Sequence, residues 1–406
     1  MPPIPKPHPH HHTSKASMTS PPKPSHHNST STSFHNPWPS AYKPTWTELL
    51  TLQNPLSLYS SHSLHTHPLS RPLAVIPPDF TTTPSHSQIT GTWLGHASAL
   101  ASLPLNESGR RLSVLFDPIF SQRAGPTQFT GPSRMNAPPC SVDALPSVDC
   151  VMISHNHYDH LDYGSIKSIV KKFPSCRYFV PLGNKSWFLA MGVAAEKLYE
   201  MDWWDEVVFT LDFEPVEKGE GEGKFKIACV PAQHNSGRGT LDQSSTLWSG
   251  WIIQTQPKET QKATLYHAGD TGYRRHTSST ETCPAFPTIG LKYGPIDLSF
   301  LPIWRGGTLG FISAIGLRLS HHQIPQTFHA SPKDAVCIHR DVRSRCSVGV
   351  HFGTFVGSEN ESLEAVIEFE EAGREVGAGR IGEEGEFEGG RLGTVDIGGS
   401  VVVELL

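Results

Sequence analysis

A mixed α+β fold with more strands than helices is predicted for this chain by three observations. From Gly91 onward, short apolar runs stop at Gly, Pro, Asp or Ser, the pattern of half-buried or fully buried strands. Between some of these runs, apolar residues take the i, i+3, i+4, i+7 spacing of a helix face. Gly and Pro number 35 each in 406 residues, too many breakers for a coiled coil or a helical bundle.

The elements follow in chain order. Leu112, Val114 and Phe116 alternate and end at Asp117-Pro118, and Cys150 to Ile153 is a continuous apolar run ending at Ser154, so both read as strands. Ile166, Ile169, Val170 and Phe173 then share one face of a helix. Phe225, Ile227 and Cys229 alternate toward Pro231, Thr264 to Ala268 leads into Gly269, and Val348 and Val350 lead into His351. A Glu-rich segment from Leu363 to Phe369 has helical spacing again. Residues 214–223 and 383–390 are acidic and Gly-rich; blocks of like charge repel and stay wet, so these are solvated loops. The most apolar segment, Leu301 to Leu319, carries Arg305, Arg318 and several Gly, which suits a buried element, or a lid over an apolar substrate, and excludes a membrane span.

Residues 1–90 have a different composition. They hold eleven of the 23 His and 17 of the 35 Pro, and no acidic residue precedes Glu48. Such a stretch cannot bury enough apolar surface to offset its ordering entropy, so it is expected to be an extended or disordered N-terminal segment, anchored locally near Asn36-Pro37-Trp38-Pro39. Residues 91–406 are expected to form one domain. The net charge of -5, with 33 Lys and Arg, gives no basic field for nucleic acid. No run of 18 uncharged apolar residues and no charged-then-apolar leader occurs, so neither a membrane span nor a secretory leader is expected. Seven Cys without a Cys-x-x-Cys pair read as buried thiols of a reducing compartment, placing the protein inside the cell, cytoplasmic or peripherally attached to a membrane.

The chemistry is concentrated in Ser154-His155-Asn156-His157-Tyr158-Asp159-His160-Leu161-Asp162. Four potential ligands, His155, His157, Asp159 and His160, cannot share one face of a helix or strand, so the segment must be a loop wrapped around something. Imidazole and carboxylate donors suit zinc, and their number exceeds what one tetrahedral ion with an open position takes. His234, Asp270 and His351 each follow a predicted strand, where loops converge on one sheet edge. Seven donors result: three His for one ion, two His plus Asp159 for the other, and Asp270 between them.

These residues resemble the signature of the metallo-β-lactamase fold, and within it the match is closer to the N-acylphosphatidylethanolamine-hydrolysing phospholipase D group. Asn36-Pro37-Trp38-Pro39, Thr92-Trp93-Leu94-Gly95-His96-Ala97, Asp117-Pro118-Ile119-Phe120-Ser121, the string Ser154 to Asp162, Asp202-Trp203-Trp204, Ala268-Gly269-Asp270-Thr271-Gly272-Tyr273, Cys283-Pro284-Ala285-Phe286 and His351-Phe352-Gly353-Thr354-Phe355 all look like that group's landmarks. The resemblance implies an αββα sandwich, two mixed sheets flanked by helices, with residues 91–406 as its catalytic domain. It implies two Zn2+ per chain, one on His155, His157 and His234, the other on Asp159, His160 and His351, with Asp270 bridging. It also implies that His329 assists at the scissile phosphodiester, with His321 and His322 as neighbouring alternatives, so that Asp159, Asp270 and His329 form the catalytic set. The expected activity is hydrolysis of N-acylphosphatidylethanolamine to N-acylethanolamine and phosphatidic acid by a metal-held hydroxide, with a phospholipid substrate, peripheral membrane contact and a homodimer. The stretch Trp304 to Gln326 and the extra segment Arg274 to Thr282 depart from the animal members.

Two other readings remain. One keeps the site but changes the substrate to another ester, a lactone or a small phosphodiester; the other is a metal-binding scaffold without catalysis. Among the remaining histidines, His96 and His267 either support a ligand from behind or hold a turn, and His276 and His339 are expected at the surface.

Overall fold

Alternating side chains along the short strands divide the interior into two cores, and a computed structural model shows how. It describes residues 24–30, 32–43, 45–47, 56–58, 61–210, 212–213, 215–216, 224–258, 261–304, 317–319, 327–355 and 357–406. The first 23 residues, His321 and His322, and most of the acidic stretch 214–223 and of the apolar segment after Trp304 lie outside the described residues.

One sheet runs β18 (Ser400–Glu404), β2 (Gln88–Gly95), β3 (Ser98–Pro104), β4 (Arg111–Phe116), β5 (Cys150–Met152), β6 (Arg177–Pro181) and β7 (Leu198–Met201). It is antiparallel from β18 to β4 and parallel from β4 to β7. The other runs β16 (Gly379–Arg380), β17 (Arg391–Gly393), β15 (Cys346–Val350), β13 (Leu298–Pro302), β12 (Gln261–His267), β11 (Gly250–Lys258), β10 (Lys224–Val230), β8 (Glu206–Thr210) and β9 (Pro215–Val216). It is parallel from β16 to β12 and antiparallel beyond. A separate pair joins β1 (Leu56–Leu58) to β14 (Leu317–Leu319).

Leu112, Val114 and Phe116 of β4 enter the core between the sheets with Phe225, Ile227 and Cys229 of β10. Leu115 of β4 and Val151 of β5 face the other way, onto Ile166 and Ile169 of a helix at Tyr163–Lys172. That helix starts at Tyr163 because the Asp162 carboxylate accepts from Ser165 N. The second sheet is covered by helices at Ala285–Tyr293, Pro332–Asp341 and Glu359–Glu375; the middle one opens with a capping box between Ser331 and Asp334. Every predicted strand and both predicted helices are present, and the two mixed sheets with helices on their outer faces make the expected αββα sandwich.

One expectation needs correction and another needs widening. His339 is not at the surface: it is 1% exposed, with Nδ1 2.7 Å from Ser347 Oγ and Nε2 2.8 Å from the Gly389 carbonyl. The described residues from 24 to 43 pack on the domain near Asn36 to Pro39, where anchoring was expected, and also at His26, His27 and Phe34, where it was not. Phe34 and Ser40 are buried, Trp38 stacks on Trp203 at 5.4 Å, and His26 and His27 meet Asp202. The aromatic residues spaced through this segment supply the apolar area that its overall composition obscures. The acidic loop 383–390 is mostly exposed, as expected.

Candidate metal centre

Six strand ends meet at one edge of the sandwich. His96 follows β2, Asp117 follows β4, the loop from Ser154 follows β5, and His234, Asp270 and His351 follow β10, β12 and β15. Tight exits turn these residues inward: His96, Asp117 and His351 have φ of 51°, 40° and 64°. Gly269 has φ +61°, and a Cβ there would lie 2.5 Å from Ser154 Cβ, so only glycine lets the Asp270 loop approach the histidine-rich loop this closely.

The indoles of the core hold the loop carbonyls just before or beside the donors. Trp93 Nε1 donates to His96 O (2.7 Å), Trp251 Nε1 to Ile153 O (3.0 Å) and Trp248 Nε1 to Ala232 O (2.9 Å). Each ring fills the space between the sheets while its N–H satisfies a buried carbonyl. Arg238 fixes the loop from outside: its Nε donates to Asn156 O (2.7 Å), a terminal nitrogen donates to Leu161 O, and its guanidinium lies 4.6 Å over the Tyr158 ring.

The loops bring all seven predicted donors together. His155 Nε2 lies 2.8 Å from His157 Nδ1, which is 3.4 Å from His234 Nε2. Asp159 Oδ2 is 3.7 Å from His160 Nε2 and 3.9 Å from His351 Nε2. Asp270 lies between the two groups, with Oδ2 3.3 Å from His160 Nε2 and 3.7 Å from His234 Nε2, and Oδ1 3.0 Å from His351 Nε2. His329 comes to the same edge, its Nδ1 3.8 Å from Asp270 Oδ2 and its ring 5.1 Å from that of His234.

The rings are aimed from behind. Asp117, fully buried, accepts from Ser154 N (2.7 Å) and Ser154 Oγ (2.6 Å), and its Oδ2 faces His160 Nδ1 at 2.9 Å. This leaves His160 Nε2 for the centre and makes the ring a better donor. The Phe328 carbonyl does the same for His234 Nδ1 at 2.8 Å, and Ser154 Oγ for His155 Nδ1 at 2.9 Å. His96 Nε2 holds Asp159 Oδ2 at 2.8 Å, so His96 supports a donor. His267 instead holds the turn: Nε2 faces Ala97 O at 3.0 Å, and Nδ1 accepts from Gly269 N.

Burial holds His155 and His234 well below the ordinary imidazole range, and His157 below it, so their lone pairs are free. Burial alone would raise Asp159 and Asp270, but the charge of His160 beside them holds both well below the carboxylate range. His160 is pulled down by burial and raised more strongly by Asp270, Asp159 and Asp117, so it keeps a proton that a metal cation would displace. His160 Nε2, His351 Nε2 and His329 Nδ1 are buried and face Asp270 as charge pairs, without a hydrogen bond among the described residues. Burying polar atoms without good hydrogen bonds costs free energy. Divalent ions would remove that cost, and the donor chemistry, five imidazoles and two carboxylates, fits them.

In the sequence, Asp117 stands out only as a strand end and within a landmark string, with no role attached, and Arg238 does not stand out. Asp117 had a usable signal, since it stands at the C-terminal end of a buried strand just as Asp270 and His351 do. Arg238 and the Phe328 carbonyl had none, because their partners are distant in sequence. The N-terminal segment also reaches the centre: Asn36 Nδ2 donates to His234 O (2.7 Å), and Ser40 Oγ donates to Gln233 Oε1 (2.6 Å).

Residues 113–352 match the family described as the Beta-lactamase superfamily domain. The chain is similar to N-acyl-phosphatidylethanolamine-hydrolyzing phospholipase D 1 of Caenorhabditis elegans, 34% identical over 275 residues that make up 67% of this chain and 65% of that protein. It is also similar to the mitochondrial N-acyl-phosphatidylethanolamine-hydrolyzing phospholipase D of Saccharomyces cerevisiae, 29% identical over 280 residues, 69% of this chain and 51% of that one. The chain thus spans less than two thirds of the length of either relative. Among solved structures, Igni18, a metallo hydrolase of Ignicoccus hospitalis, aligns with a TM-score of 0.46 at 18% identity, covering 78% of this chain and 99% of that one.

Proposed function

This chain belongs to the β-lactamase superfamily as a metallo-β-lactamase-fold hydrolase resembling N-acylphosphatidylethanolamine-hydrolysing phospholipase D, and from that premise we propose that it is a zinc-dependent phosphodiesterase. Its substrate in this reading is N-acylphosphatidylethanolamine, cleaved to N-acylethanolamine and phosphatidic acid. The observation that carries the reading is the convergence of seven donors and His329 on one sheet edge. The catalytic domain is residues 91–406, with residues 1–90 as an N-terminal extension.

His155, His157 and His234 would hold one zinc and Asp159, His160 and His351 the other, with Asp270 in reach of both groups. When bound, two such ions lower the pKa of water and offset charge on a phosphoryl group. The chain's own part is positional. Asp117 and His96 keep His160 and Asp159 aimed, and the indoles keep their loops in register. Burial lowers His329 to about 4, so at neutral pH it is an uncharged imidazole. There it offers a hydrogen bond to a phosphoryl or leaving-group oxygen. A buried Ser nucleophile is not needed for this chemistry.

Membrane contact is peripheral in this reading. No helix among the described residues is long and apolar enough to cross a membrane. Phe129 and Leu241, 92% and 101% exposed, lie on loops that flank the histidine-rich loop and would reach an acyl layer. The test is to incubate the zinc-loaded chain with vesicles containing N-acylphosphatidylethanolamine and to read the products by mass spectrometry, beside a panel of lactones, carboxylic esters and soluble phosphodiesters. Release of N-acylethanolamine is expected. Intact lipid with turnover of a lactone or ester would replace the substrate assignment and keep the centre.

A further inference from the structure

A second set of nitrogen and oxygen donors stands apart from the dinuclear centre. Asp202 directly follows β7 and is fixed by a tight turn: its backbone N–H donates to Asp205 Oδ2 (2.8 Å), and its Oδ1 accepts from Trp203 N (2.8 Å). Facing it are two adjacent histidines of the N-terminal segment. His26 Nε2 lies 2.7 Å from Asp202 Oδ1, and His27 Nε2 lies 2.8 Å from Asp202 Oδ2.

Both rings are held before any ligand arrives. His26 and His27 stand at the base of a turn closed by Asn28 N donating to Ser33 O (2.9 Å) and by the Asn28 side-chain oxygen accepting from Thr32 N (2.9 Å). The His26 ring lies on the Trp203 indole at 4.2 Å and 25°, and the His27 ring stands edge-on to Phe34 at 5.0 Å. Adjacent residues in an extended strand would point apart; a tight turn at Ser25 and His26, closed by His27 N donating to Pro24 O (3.1 Å), breaks that alternation, and both Nε2 atoms reach one carboxylate. The three donor atoms lie within 4.8 Å of one another. His26 is buried and the Asp202 side chain is 20% exposed, so the donors are shielded while one side stays open to solvent.

We propose that His26, His27 and Asp202 form a third divalent-metal site, of the zinc class, that fastens the N-terminal segment to the domain. Two imidazoles and a carboxylate with one open position make a zinc-type donor set. Hydrogen bonds from Nε2–H hold the trio together in one tautomer; with the proton on Nδ1, both Nε2 lone pairs face the carboxylate and bind a cation. An ion here acts on the neighbouring centre through covalent continuity. The segment it fastens continues to Asn36, which holds the His234 carbonyl, and to Ser40, which holds Gln233. Its occupancy therefore stiffens the His234 loop. The proposal does not rest on any choice of substrate.

The experiment counts ions. His8, His10, His11 and His12 are first replaced by Asn in the full chain, so that this histidine-rich stretch does not add adventitious zinc. The protein is then equilibrated with buffered free zinc, and metal per chain is read by mass spectrometry of the elements, in that background and with His26→Asn/His27→Asn or Asp202→Asn added. Three ions per chain are expected in the background and two in either variant. Zinc should also slow proteolytic cleavage within residues 24–43 in the background chain and leave the variants unchanged. Equal ion counts in the three proteins would overturn the proposal, and would leave a hydrogen-bonded clamp in its place. Asp202→Asn keeps the side chain's shape and the acceptor for Trp203 N, so a folded comparison exists even if the double histidine variant does not fold.

Discussion

Replacing Asp117 by Asn should weaken metal retention without altering any donor. Asp117 is fully buried and takes three contacts at once: Ser154 N at 2.7 Å, Ser154 Oγ at 2.6 Å and His160 Nδ1 at 2.9 Å. Asn can keep the first with its oxygen, which puts its NH2 group where Oδ2 faced His160. An NH2 group cannot accept from Nδ1–H. The His160 proton is then driven to Nε2, the atom that lies 3.3 Å from Asp270 Oδ2 and would donate to the metal. Loss of such a carboxylate behind a histidine ligand typically lowers metal affinity about 10–100-fold, or about 1.4–2.8 kcal/mol. The assay is zinc affinity by competition with a chromophoric chelator, on folded Asp117→Asn beside wild type. Unchanged affinity at both positions of the centre would refute the reasoning, because it would show that His160 is aimed by something other than Asp117.

Three further outcomes follow from the packing. Gly269→Ala forces a side chain into a left-handed φ of +61° and against Ser154 Cβ at 2.5 Å, so denaturant titration should show a loss of at least about 2 kcal/mol together with reduced activity. Trp251→Phe removes the donor to Ile153 O and leaves that carbonyl unpaired in the core; a loss of about 1–3 kcal/mol is expected from the orphaned group, and a neutral result would mean that the carbonyl finds another partner. His339 is pushed below its ordinary 6.5 chiefly by burial, so the folded chain refuses a proton that the unfolded chain takes, and its contribution is full above about pH 6.5 and lost as pH falls below that value. The stability gap between wild type and His339→Asn should therefore narrow as pH is lowered from about 7 to about 5, as read by thermal unfolding; a constant gap would contradict the buried assignment.

Much of the centre was legible because its donors are dense and lie at strand ends. Four potential donors packed within six residues between Ser154 and Asp162 force a loop whose side chains converge, and His234, Asp270 and His351 follow apolar runs whose strand character is local. The sandwich was legible for a related reason: alternation at Leu112, Val114 and Phe116 reports a sheet with two different faces. What was hidden depends on contacts between residues far apart in the chain. Arg238 reaches across 82 positions to the Asn156 carbonyl, and nothing local distinguishes it from a solvated residue; Asn36 stands within the anchoring string, but nothing local points to its partner, the His234 carbonyl 198 positions away. His339 was misplaced for the same cause, since its partner Gly389 lies 50 residues away. The segment 24–43 was legible as anchored only near Trp38, because composition averages over Phe34, which also finds a buried aromatic neighbour.

The central claim, a hydrolytic centre built around Asp270, is tested most directly by Asp270→Asn. The oxygen-to-nitrogen exchange keeps the shape of a side chain that lies 3.0 Å from His351 Nε2 and 3.3 Å from His160 Nε2 and removes its charge. Release of N-acylethanolamine from N-acylphosphatidylethanolamine vesicles, followed by mass spectrometry and paired with a count of bound metal, should fall to background, with fewer ions retained at the centre. Wild-type release from an Asp270→Asn chain with undiminished metal would contradict the account.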